Sequence, residues 1–312
     1  MISSKPVWPL PDGAEVVIRQ VYMQQYLPMD ILSRPVLKAD WRIAYGPGPF
    51  QFGDLWLPHP AANVPTRSPL PLVVFFHGGW WKSEYDLGYA GYLCSALARE
   101  GMACWSVEYR RVGDSGGGWP TTFQDCAAGF DFISVLSPEH LHAEHRLDLS
   151  RVIVMGHSAG GHLAFWIAGR HHLDRQSEVF MPRPTVFPKA AIALAGAVDL
   201  RLTIELAGNG KFAHIKENVI QLMGGDPAHF PDRYRAGNPG QLLPFAAHQI
   251  LIQGTLDDQI PPELPSRWAE MSRKLGSTAS VRLIPGAGHF DVVDPESTAW
   301  PAVVQEVRAA LL

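Results

Sequence analysis

One serine stands where its surroundings could make it reactive. Ser158 lies in Gly156-His157-Ser158-Ala159-Gly160, a G-x-S-x-G run between the apolar stretch RVIVM and the helix-forming stretch AGGHLAFW. A strand turning sharply into a helix holds such a serine in a strained backbone conformation, and small neighbours at 156 and 160 avoid a clash. The turn lifts the hydroxyl above the sheet and aims the first amides of the next helix at it, where they can stabilise an anion. A free hydroxyl is a poor nucleophile near neutral pH, so it needs a base, and the base needs an acid to hold its tautomer. In chain order the acid should follow the serine and the histidine should follow the acid. Two loops after apolar runs fit: GTLDDQIP at 254–261 and PGAGHF at 285–290. They name His289 as base and Asp257 as acid. The pattern G-x-x-D-x-x-[VI]-P selects Asp257 and leaves Asp258 as a loop carboxylate or a cap for the helix near 262. Asp199, after an earlier strand, is the weaker alternative acid.

The elements that must position these groups follow an alternating pattern. Short apolar runs bounded by turn residues read as buried strands at 71–77, 102–110, 151–157, 189–198, 248–254 and 280–286. Helical spacing appears at 89–101, 121–136, 159–171, 262–276 and 301–312. Strands alternating with helices predict an α/β chain with a mostly parallel sheet covered on both faces. Its active groups should gather on loops at the strand C-terminal ends. The alternation breaks between Asp199 and His248, so a cap-like insertion is expected at about 201–246. Residues 1–50, rich in proline and aromatics, read as an arm packing on the body or cap, and 51–312 as the main domain. YMQQYLPMDIL is a short helix candidate within that arm.

The motifs FHGGWW, EYR, GHSAGGHL, GTLDDQIP and GAGHF occur in the order used by the α/β-hydrolase superfamily, which the sequence resembles over about 70–312. HGG followed by an aromatic and Trp, together with GHSAG, is similar to the esterase/lipase group of kynurenine formamidases and bacterial feruloyl-esterase-like carboxylesterases. The resemblance implies an α/β-hydrolase fold and a serine hydrolase acting through an acyl-enzyme. It also implies an oxyanion hole built from the amides of Gly79, Trp80 and Ala159, with Gly78 and Gly79 leaving the backbone bare for close approach. Trp80 stands where a hormone-sensitive-lipase-like HGGG would carry a third glycine. The formamidases more often have HGGYW, which Trp81 matches and Trp80 does not. Carboxylic esters with aryl or apolar groups are the expected substrates, and N-formyl-kynurenine hydrolysis is the alternative. Trp81, Trp119 and Phe290 are candidate walls of the substrate pocket. A prolyl-oligopeptidase-type peptidase would need a large accessory domain, and a catalytically dead binding protein would be expected to lack one of the three reactive positions.

The rest of the sequence narrows the field by what it does not favour. A net charge of −4 with no basic run gives no electrostatic case for nucleic acid. Cys94, Cys104 and Cys126 lack CxxC spacing, which fits a reducing compartment rather than a disulfide framework. The N-terminus has no apolar signal-peptide core and no run reaches membrane-span length, so a cytoplasmic protein is expected. GGG at 116–118 and GNGK at 208–211 both lack the ending of a phosphate loop. His140, His142 and His145 have H-x-H spacing, but on a loop expected at the wrong edge of the sheet for chemistry. No metal or cofactor is expected. The partner is a small ester or amide substrate, and a homodimer is compatible with the sequence.

Overall fold

The computed structural model describes residues 30–59, 69–136, 146–182 and 186–312. His140, His142 and His145, and most of the candidate helix YMQQYLPMDIL, lie outside these residues. In chain order the elements are α1 (Asp30–Ser33), β1 (Trp41–Ala44), β2 (Phe52–Trp56), β3 (Leu70–Phe76), α2 (Ala90–Arg99), β4 (Ala103–Val107), α3 (Thr121–Asp131) and β5 (Leu147–His157). There follow α4 (Ala159–Gly169), β6 (Ala190–Leu194), α5 (Leu200–Ala207), α6 (His214–Met223), α7 (Pro231–Gly237), β7 (His248–Gly254), α8 (Leu264–Lys274), β8 (Ala279–Ile284) and α9 (Trp300–Leu311).

The eight strands form one sheet in the order β1-β2-β4-β3-β5-β6-β7-β8. The pairs from β4 through β8 are parallel, while β1–β2 and β2–β4 are antiparallel. Successive side chains on a strand point to opposite faces, so a parallel sheet must be apolar on both. On β3, Leu72, Val74 and Phe76 enter one core, and Val73 and Phe75 the other. The first core is closed by α3, α4 and α8 through Phe123, Phe165, Trp166 and Trp268. The second is closed by α2 and α9 through Leu93, Leu97, Val303 and Val307. The mostly parallel sheet covered by helices is the expected α/β architecture.

Two strands at one side of the sheet were not expected from the sequence. β1 and β2 are four and five residues long, and β1 falls inside the segment read as an arm. Trp41, Arg42 and Ala44 are exposed and Ile43 alone of its four residues is buried, so it carries little apolar signal. Between β6 and β7 the chain forms α5, α6 and α7. This helical segment is tied to the body: Trp166 Nε1 donates to the Ala236 carbonyl (2.8 Å), and the Trp119 amide donates to the Leu222 carbonyl (2.8 Å).

Candidate active site

Strand β5 runs into the turn at Ser158, whose φ of 54° is a left-handed backbone angle outside the usual range of a side-chain-bearing residue. Such a residue costs about 1–3 kcal/mol and persists only where its surroundings over-determine it. Here they do. A Cβ on Gly156 would lie 2.0 Å from the Gly160 carbonyl oxygen, and one on Gly160 would lie 2.0 Å from the Phe76 oxygen. The two small residues therefore let the elbow close on itself and on the end of β3. The Ser158 amide donates to the Leu194 carbonyl (2.9 Å), and the Ser158 carbonyl accepts from Gly161 (3.0 Å) and Ala197 (3.1 Å). Ala159 opens α4, so its amide belongs to the first turn, where no intrahelical acceptor exists.

The expected base and acid meet. His289 Nδ1 lies 3.0 Å from Asp257 Oδ2 and 3.1 Å from Oδ1. Asp257 Oδ1 also accepts from the amides of Gln259 (2.8 Å) and Ile260 (2.9 Å). The carboxylate is out of solvent, so these donors hold its charge and its orientation together. The two loops are locked to each other: Leu256 N–H donates to the Ala287 carbonyl (2.9 Å) and Gly286 N–H to Thr255 Oγ1 (3.0 Å). Asp258 is exposed and accepts from Gln259 Nε2 (3.1 Å). Asp199 is engaged elsewhere, capping α5 through the Leu202 amide (2.7 Å) and accepting from Asn238 Nδ2 (3.0 Å).

The loop after β3 carries three consecutive left-handed residues, Gly79 (φ 110°), Trp80 (53°) and Trp81 (58°). Two of them bear large side chains, which marks a strained and heavily braced turn. The bracing comes from β4 and the turn beyond it. His77 Nε2 meets Glu108 Oε1 (3.0 Å), its Nδ1 meets the Gly78 carbonyl (2.7 Å), and its ring stacks on Tyr109 at 4.4 Å. Tyr109 in turn donates to the His77 carbonyl (2.8 Å). Glu108, buried beside His77 and Arg111, keeps its carboxyl below the ordinary range despite the opposing effect of burial. The Gly78 amide is not available to a substrate, because it donates to the Tyr89 hydroxyl (2.7 Å). That leaves Gly79 and Trp80 as the loop's candidate amide donors.

Ser158, His289, Gly79 and Trp80 all line one cavity of about 250 Å³, together with Leu32, Tyr85, Tyr89, His157, Asp258, Gln259 and Phe290. Of the three expected pocket residues, the structure brings only Phe290 here. Trp81 is fully buried and sets its ring edge-on to His162 at 5.3 Å, so it anchors the loop in the core instead of lining the pocket. Trp119 lines a separate cavity with its Nε1 donating to Glu178 (3.0 Å). Trp80 holds the wall, with its ring edge-on to His214 of α6 at 5.3 Å. Asp125 is an anchor, taking three donors from Arg110 and one from Gln51. Sequence reasoning missed Leu32, Tyr85, Tyr89 and Gln259. Leu32 arrives because Arg34 makes a bidentate pair with Asp294 (2.9 and 2.8 Å), just beyond the histidine loop. Among the described residues, no group of three or more His, Cys, Asp or Glu is arranged to hold a metal ion, and no helix is long and apolar enough to cross a membrane.

Known proteins resemble this chain in sequence and fold to different degrees. Esterase LipC from Mycobacterium tuberculosis (strain ATCC 25618 / H37Rv) is 30% identical over 265 residues, covering 82% of this chain and 61% of the relative. A probable isoprenylcysteine alpha-carbonyl methylesterase, ICMEL1, from Arabidopsis thaliana is 27% identical, covering 80% of this chain and 50% of the relative. The chain thus spans half to three fifths of the length of these curated relatives. Among solved structures, Esterase B from Lactobacillus Rhamnosis (HN001) superposes with a TM-score of 0.73 at 21% identity, covering 95% of this chain and 92% of that one, which establishes the α/β-hydrolase fold. Formamide hydrolysis, the alternative raised by the HGG-x-W motif, finds no support in these relatives. The family model described as BD-FAE matches residues 54–271, which include the HGG loop, the serine elbow and the Asp257 loop, and on that match the chain belongs to the BD-FAE family.

Proposed function

We propose that the protein is a serine carboxylesterase that cleaves esters bearing aryl or apolar groups through an acyl-enzyme. The observation that carries this reading is the buried Asp257–His289 pair opening on the same small cavity as the strained Ser158. In the proposed reaction, Ser158 Oγ attacks the ester carbonyl carbon and gives its proton to His289 Nε2. Asp257 holds His289 Nδ1–H and stabilises the imidazolium that forms. The carbonyl oxygen, now carrying the negative charge, is held by the amides of Gly79, Trp80 and Ala159, each such donor being worth about 3–4 kcal/mol. The C–O bond to the alcohol breaks, and the alcohol leaves with the proton from His289. Water then attacks the acyl-enzyme, giving its proton to His289, and the carboxylic acid departs as Ser158 regains its hydrogen.

The cavity favours apolar groups of modest size. Its walls include Leu32, Trp80, Tyr85, Tyr89 and Phe290, and a volume of about 250 Å³ is below the usual range for drug-sized ligands. The helices α5 to α7 act in this reading as a small cap beside the aromatic loop, in contact with it through His214 and Trp80. The experiment is turnover of a p-nitrophenyl ester series by wild type and Ser158→Ala. Loss of turnover by about 10⁶-fold with an unchanged melting temperature is expected. Retained turnover in the variant would rule out Ser158 as nucleophile.

A further inference from the structure

The proposed machinery is assembled from three loops that are far apart in sequence, and one hydrogen-bond chain joins them behind the reacting atoms. Gly78 N–H lies 2.7 Å from the Tyr89 hydroxyl oxygen. That hydroxyl lies 2.8 Å from His157 Nδ1. His157 Nε2 lies 3.1 Å from the His289 carbonyl oxygen. Tyr89, His157 and His289 are 8%, 1% and 3% exposed, so water does not compete for these groups.

The direction of every bond follows from chemistry alone. A carbonyl oxygen can only accept, so His157 Nε2 must carry the hydrogen. In the neutral ring Nδ1 is then a lone pair, and the Tyr89 O–H must donate to it. The tyrosine oxygen is left with lone pairs, one of which accepts the Gly78 amide. Burial presses His157 well below the ordinary histidine range, which keeps the ring neutral, and its two partners fix which nitrogen carries the hydrogen. The chain therefore runs one way, from Gly78 through Tyr89 and His157 to His289, and uses both ring nitrogens of His157 and the tyrosine hydrogen.

We propose that Tyr89 and His157 are positioning residues that hold the oxyanion loop, the serine elbow and the base loop in register through this directed chain. Fixing the Gly78 peptide fixes the next two amides, Gly79 and Trp80. His157 is covalently next to Ser158. Fixing the His289 carbonyl, together with ring contact between His157 and His289 at 4.7 Å, fixes the base. Tyr89 is itself well placed to serve as the hub. It ends the turn Leu87–Tyr89, which Asp86 caps through the Gly88 amide (2.8 Å) and Glu108 holds through the Leu87 amide (3.2 Å). The same Glu108 braces His77. The inference rests on the Ser158–His289–Asp257 reading but adds two residues that neither attack nor transfer a proton.

The test is steady-state kinetics on a p-nitrophenyl ester for Tyr89→Phe, His157→Leu, His157→Gln and the double variant Tyr89→Phe/His157→Leu, with thermal melting alongside. Tyr89→Phe is expected to lower kcat by about tenfold to a hundredfold while KM changes little, because misplacement of reacting groups costs rate more than ground-state binding. The double variant should be no slower than the slower single one, since either change already breaks the chain. Glutamine at 157 can both accept from Tyr89 and donate to the His289 carbonyl, so it should recover much of the rate that leucine loses. Wild-type kcat in Tyr89→Phe overturns the proposal, as do losses that multiply in the double variant. Should His157→Leu fail to fold, the kcat and KM of Tyr89→Phe decide alone. Ser158→Ala separates the two levels: if it stays active, the esterase reading fails, whereas an inactive Ser158→Ala beside an unimpaired Tyr89→Phe overturns only the chain.

Discussion

Replacing Asp257 with asparagine changes one atom at the centre of the proposed triad, and the structure says what should happen. Asp257 Oδ1 accepts from the amides of Gln259 and Ile260, at 2.8 and 2.9 Å. An asparagine oxygen can keep both bonds, so the loop should hold its shape. Its amide nitrogen then takes the place of Oδ2, 3.0 Å from His289 Nδ1. Two donors cannot share that contact, and the remaining oxygen, 3.1 Å from Nδ1, is already committed to two backbone amides, so His289 is driven to give up its hydrogen at Nδ1 and carry it at Nε2. That is the nitrogen that has to accept the serine proton. A wrong tautomer of this kind lowers kcat by about 10⁴ with the geometry intact, equivalent to about 5 kcal/mol of activation free energy. The assay is kcat on a p-nitrophenyl ester, with Asp258→Asn and Asp199→Asn as comparisons and melting temperature as the check on folding. Asp258 is exposed and Asp199 caps a helix, so both should cost far less. A kcat for Asp257→Asn within about tenfold of wild type would refute the reasoning, and an equal loss in either comparison would reassign the acid.

Two further outcomes follow from the packing. Gly160→Ala places a methyl group 2.0 Å from the Phe76 oxygen and 2.5 Å from the His77 oxygen, both backbone, so it should exceed the ordinary overpacking cost of about 1–3 kcal/mol and displace the oxyanion loop. Melting temperature and kcat should both fall, and a wild-type kcat would contradict the close approach. His162, buried with its Nε2 2.8 Å from the Gly237 carbonyl, has its pKa pressed down to about 4 from 6.5 by burial. A depressed histidine pKa means that the unfolded chain takes up the proton first. The contribution is therefore intact above pH 6.5 and is lost as pH falls from 6.5 toward 4, by about 3 kcal/mol. His162→Gln keeps a donor for Gly237 without titrating, so it should lose less stability than wild type over that interval, and equal losses would contradict the assignment.

What the sequence revealed and what it hid divide along physical lines. The parallel strands are apolar on both faces, so runs such as LPLVVFF and HQILIQG stand out from their turns. The reactive groups sit on loops at strand ends with recognisable local patterns, which is why the pairing of Asp257 with His289 could be expected from residues 32 positions apart. Strands β1 and β2 were hidden because they are short, β1 being largely solvated and β2 carrying a glycine and an aspartate among its five residues. Trp81 and Trp119 were misplaced because an aromatic residue beside a reactive loop can face either the cavity or the core, and only tertiary packing chooses. Leu32 and Tyr89 carry no local signal. Their places depend on an ion pair across 260 residues and on a hydroxyl meeting an imidazole 68 residues away.

The most direct test of the central claim is covalent titration of the nucleophile. Wild-type protein incubated with increasing amounts of an aryl phosphonate should gain one adduct by intact mass. Peptide mapping should place it on Ser158, and ester turnover should fall in proportion to the modified fraction. Ser158→Ala should gain none. Turnover that persists in fully modified protein, or an adduct at another residue that accounts for the loss, would contradict the account.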